Sequence, residues 1–122
     1  MAAGKHNFVC EQGATFNPVI TWREPTNEDG TPGDPIDLTG YSARMQVRPS
    51  ISSSTVTISL TTENGRITLG GTNGEVELLI EDEDTALLPP ASYKYDIELE
   101  SSGGVVTRLL KGTFKVDPEV TR

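Results

Sequence analysis

The chain has 122 residues, a net charge of −8 at pH 7 and one cysteine, Cys10, which suits a single domain burying roughly 65% of its unfolded surface and excludes an internal disulfide. Its net acidity disfavours nucleic acid and anionic lipid surfaces as partners. No apolar run approaches the ~20 residues of a bilayer span, and MAAGKHNFVCEQG lacks the apolar core of a signal peptide, so a soluble, unsecreted chain is expected.

Phe8, Val9 and Cys10 predict a short first strand ending near Gly13. In ATFNPVITW, Phe16, Pro18, Ile20 and Trp22 share one face. Trp22 is expected in the central core, and Pro18, which lacks a backbone donor, marks an edge or a bulge. REPTNEDGTPGDPI is dense in Pro, Gly, Asp and Asn and predicts a loop over 23–35. DLTGYSARMQVR then alternates regularly: Tyr41, Ala43, Met45 and Val47 fall on one side, Ser42, Arg44, Gln46 and Arg48 on the other. This predicts a half-buried strand over 41–48. Val56, Ile58 and Leu60 predict another over 55–60.

ENG at 63–65 carries residues a tight hairpin turn favours, with Arg66 to Leu69 as the partner strand. GGTNG makes a second turn before a strand over 75–80, with Val76, Leu78 and Ile80 inward. DEDTALLPP sets a carboxylate ahead of a brief helix-compatible run and prolines behind it, which predicts at most one helical turn near residues 82–88. Tyr93, Tyr95, Ile97 and Leu99 predict a strand over 92–100. SSGG turns the chain, and VVTRLLKGTFKV returns over 104–116 with Gly112 placed for a bulge or bend.

This series of short strands predicts one all-β antiparallel sandwich over 1–122, with polar terminal arms at 1–7 and 117–122. DTALLPPASYKYDIEL is similar to the corner before strand F of immunoglobulin-like domains, so the sandwich is expected to be immunoglobulin-like, with about seven to nine strands.

Patterns that carry chemistry are sparse. His6 lies in a segment expected to be exposed, and nothing places it beside a serine and an acid. His6 and Cys10 stand four residues apart on one strand face, about 13 Å, which is too far to share a metal. EDED at 81–84 offers the oxygen ligands Ca²⁺ prefers but lacks the glycine-punctuated spacing of an EF-hand loop. A solvated acidic cluster is expected there instead. GGTNG and SSGGVV precede no helix and read as turns, not phosphate cradles. The charge is concentrated in residues 75–100, where nine carboxylates face Lys94 alone. A non-enzyme with no cofactor and no metal is the expectation.

EQGATFNPVITW, DLTGYSARMQVR, LPPASYKYDIELES and VVTRLLKGTFKVDPEVTR together resemble small β-sandwich proteins encoded in the structural-gene regions of tailed bacteriophages, akin to the N-terminal domain of phage baseplate upper proteins. The resemblance covers nearly the whole chain and rests mostly on core and turn positions. It implies a virion component assembled in the bacterial cytoplasm, at the tail, baseplate or fibre-attachment region, in several symmetry-related copies contacting other virion proteins. A capsid decoration protein is the alternative, and a carbohydrate-binding sandwich ranks third. The expected protein contacts are Arg23, Asn27 and Asp29 on the 23–35 loop, and Arg44 and Arg48 on an outward sheet face, with an acidic sheet face elsewhere on the domain.

Overall fold

The computed structural model describes residues 4–120. Its strands are β1 (Gly4–Lys5), β2 (Phe8–Glu11), β3 (Val19–Thr21), β4 (Ser42–Arg48), β5 (Ile58–Thr61), β6 (Ile67–Leu69), β7 (Glu75–Leu78), β8 (Ala91–Glu100) and β9 (Val106–Asp117). A 3₁₀ turn at Gly71–Asn73 and one helical turn, α1 (Asp82–Thr85), complete the elements. The larger sheet runs β5-β4-β8-β9, with β1 and β2 both along the far edge of β9, and the smaller runs β3-β7-β6. The fold is an all-β sandwich.

Alternation decides which side chains enter the space between the sheets. Met45 and Val47 of β4, Ile97 and Leu99 of β8, and Phe114 and Val116 of β9 meet Val76, Leu78 and Ile67 of the smaller sheet, all buried. At one side Phe16 packs edge-on to Phe8 and Phe114, with ring centroids 5.5 and 5.2 Å apart, a geometry favoured by the ring quadrupoles. Trp22 does not take the central place expected of it. It lies half-buried beside the core, edge-on to Tyr41 at 6.3 Å, and the Phe114 side holds the centre.

Two features are shared with immunoglobulin-like sandwiches. The orders β9-β8-β4-β5 and β3-β7-β6 match strands G-F-C-C′ and B-E-D of that fold. At the entry to β8 the Tyr93 hydroxyl donates to Pro89 O at 2.5 Å, the backbone tie of a tyrosine corner. The helical turn before this corner is fixed by the buried Thr85, whose Oγ1 accepts from Gly13 N–H and donates to Ala14 O.

Several sequence expectations are corrected. The sandwich is not antiparallel throughout, because β1 and β2 run parallel to β9, Phe8 opposite Phe114 and Gly4 opposite Leu110. ENG does not close a hairpin: β5 pairs β4 in one sheet, β6 pairs β7 in the other, and residues 62–66 form the corner between them. The strand expected over 55–60 begins at Ile58, and Val56 is exposed. The β9 bulge falls at the Ile97/Glu98 step, not at Gly112. There Leu109 and Leu110 are consecutive and both turn partly into the core, which strict alternation forbids.

The terminal arms are also less free than expected. His6 N–H donates to Lys111 O, Tyr95 O–H to His6 O, and Thr113 N–H to Asn7 Oδ1. At the other end Gln12 N–H donates to Asp117 O and Glu119 N–H to Gln12 Oε1. Residues 1–3 and 121–122 of those arms, and of the expected 1–122 domain, lie outside the described residues.

Candidate interaction surfaces

The stretch 23–35 is exposed apart from Gly33 and is the loop expected, drawn into an arm by bonds to itself. Arg23 and Pro35 form an antiparallel bridge, Glu24 N–H donates to Asp34 O, and Asn27 N–H donates to Thr31 O. The three arm residues expected at an interface build this shape. Arg23 Nη1 donates to Gly33 O, and Asn27 Nδ2 donates to Thr31 Oγ1. Asp29 Oδ1 accepts from both the backbone N–H and the hydroxyl of Thr31. Those bonds, the hydroxyl first, hold the Asp29 carboxyl below its ordinary pKa. Gly33 is required because a Cβ there would stand 2.1 Å from Glu24 O and wedge the arm open.

Arg44 and Arg48 lie on the outward face of the larger sheet. The acidic face expected elsewhere is partly this same face, because β4 pairs β8 with Arg44 opposite Glu98 and Gln46 opposite Asp96. Arg44 Nε reaches Glu98 at 2.9 Å and its Nη1 reaches Glu100 at 3.1 Å. Hydrogen bonds to Glu100 and Glu98 raise its already high pKa. Arg48 instead pins the β4–β5 loop, donating to Ser53 O at 2.7 Å and to Gln46 Oε1. That loop carries Ile51, 85% exposed, to the rim of the outward face.

Under Ile51 two depressions of ≈ 410 and ≈ 830 Å³ adjoin, sharing Ile51, Lys94, Tyr95 and Asp96 among their lining residues. Their walls carry Lys5, Arg44, Arg48, Lys94, Arg108 and Lys111 against the carboxylates Asp96 and Glu98. This groove is basic on a chain whose net charge is −8. Desolvation raises the Asp96 pKa despite Arg108 Nε at 3.4 Å. Sequence reasoning found the two arginines and missed the lysines. Lys111 could have been read outward from Phe114 and Val116, but the approach of Lys5 depends on a parallel pairing that leaves no local signal.

The groups weighed for catalysis or metal stay apart. His6 is exposed and packs edge-on to Phe8 at 4.6 Å, while Cys10 is buried. Burial, and to a smaller extent the neighbouring Glu11, pushes the Cys10 thiol up to about 11, leaving it an unreactive packing group at neutral pH. In the 81–84 cluster Asp84 pairs with Arg66 at 3.0 Å. No group of three or more His, Cys, Asp or Glu side chains is placed to hold a metal ion among the described residues. No helix among them is long and apolar enough to cross a membrane. No protein-family model and no curated protein matches the chain.

Proposed function

We propose that this chain is a non-enzymatic structural module of a tailed-bacteriophage virion, working at the tail, baseplate or fibre attachment and held there by contacts with other virion proteins. The phage assignment rests on the sequence resemblance. The assembly role is supported by one structural observation, the arm 23–35. It is folded on itself, exposed and outside the core, so it can engage a partner with little further ordering cost. A segment closed by its own bonds and standing outside the core suits a docking element.

Deleting residues 26–33 tests this, since the bridge at Arg23 and Pro35 can still close a shorter turn. The variant is expected to keep its unfolding midpoint and to be depleted from purified particles of a phage that encodes it. Normal incorporation of the folded variant would move the contact off the arm. Electron microscopy of intact particles fixes the location. Density at the tail terminus supports the proposal, density on the shell lattice favours a decoration protein, and absence from the particle ends the virion reading.

A further inference from the structure

We infer that the acidic arm of one copy docks in the basic groove of a second, joining copies of this chain head to tail. The two surfaces are complementary in charge. Within 23–35 the carboxylates Glu24, Glu28, Asp29 and Asp34 face only Arg23. The groove carries six cations against two carboxylates. Arg44 and Arg108 are paired within their own copy with Glu98, Glu100 and Asp96, but each surface keeps free charge: among the described residues no ion pair engages Glu24, Glu28 or Asp34, nor Lys5, Lys94 or Lys111.

The two do not meet inside one molecule. The arm runs between β3 of the smaller sheet and β4 of the larger and bonds mainly itself, and none of its residues lines the groove on the outer face of the larger sheet. Contact between copies is therefore heterologous, the kind that closes into a ring or extends as a filament. Shape agrees with charge. The tip Asn27–Thr31 is a narrow turn closed by Gly30 N–H to Asn27 O, and the adjoining depressions offer room for several side chains beneath the exposed Ile51. Net repulsion between two acidic copies fades beyond about 8 Å at physiological salt, whereas the docked charges lie closer than that.

This deepens the assembly reading by naming a second copy as one partner, and its test needs only the purified full chain. Sedimentation equilibrium should show mass above the monomer that rises with concentration at about 0.15 M salt and falls back at about 1 M. Reversing the groove with Lys94→Glu and Lys111→Glu, or the arm with Glu24→Lys, Glu28→Lys and Asp34→Lys, should each weaken association about tenfold or more. Mixing the two reversed variants should restore it, because a basic arm then meets an acidic groove. The milder Lys94→Gln and Lys111→Gln pair gives the same direction should the reversal unfold the chain. A monomer at every concentration, or association indifferent to both reversals, overturns the inference. A chain that stays monomeric yet enters particles would remove this contact and keep the virion role, while self-association of a chain absent from particles would do the opposite.

Discussion

Gly112 lacks a side chain because another segment fills the space. A Cβ there would stand 2.1 Å from His6 O and 2.9 Å from Asn7 Oδ1. The sequence marked this glycine as special for the wrong reason: a bulge is a local cause, whereas close approach of a segment more than a hundred residues away is not visible locally. Gly112→Ala should push the N-terminal segment off β9 and cost about 1–3 kcal/mol, read as a lower urea midpoint. An unchanged midpoint would mean the segment gives way freely. Asp96 makes the opposite kind of prediction. Burial raises its folded pKa above the unfolded value, so the folded state binds its proton more tightly. Its ionised form then costs stability at neutral pH, and the cost is relieved as pH falls through the folded pKa. Asp96→Asn should leave the chain as stable or more stable near pH 7, with the difference shrinking toward about pH 3. A lower midpoint at neutral pH would show that the Arg108 pairing outweighs desolvation.

At the scale of elements, β4 and β8 were legible because one face of each is buried and the other polar, which stamps a two-residue period on the sequence. The internal ties of the arm and the ENG corner were not, because their turn chemistry is right for more than one pairing. Asn64 shows why. Its Oδ1 accepts from Thr61 N–H and Arg66 N–H, and its Nδ2 donates to Ser59 O, which also accepts from Arg66 Nη1. These bonds occupy backbone groups of β5, a strand at the edge of the larger sheet. Asn64 thus caps an edge that could otherwise recruit a foreign strand, in place of closing a hairpin. Asn64→Ala should lower stability by about 1–2 kcal/mol and raise light scattering with time at high protein concentration. Loss of stability without scattering would leave the corner role and remove the edge role. Of the candidate sites, the sequence located the arm and two arginines; it could not show that the arm residues bond one another, nor that lysines from β1 and β9 complete the groove.

Across the whole molecule, the first and last strands are joined to each other. β2 lies parallel on β9, Gln12 bonds Asp117 and Glu119, and Tyr95 and Thr113 bond His6 and Asn7. The arm, by contrast, bonds mainly itself and leaves the core untouched beyond the Trp22–Ile36 step. Two excisions of similar size should therefore behave differently. Removing residues 1–7 strips the acceptor from the buried Tyr95 hydroxyl and uncovers Gly112, leaving a polar group without its partner inside the sheet edge. The expected loss is about 2–4 kcal/mol, combining that unsatisfied group with the His6 and Asn7 backbone ties. Removing residues 26–33 breaks only bonds within the arm and should move the urea midpoint little. Measured side by side, the first variant should unfold well before the second. If the order is reversed, the arm supports the core and the N-terminal segment is the dispensable part, which would also make the segment, and not the arm, the better place to look for a partner.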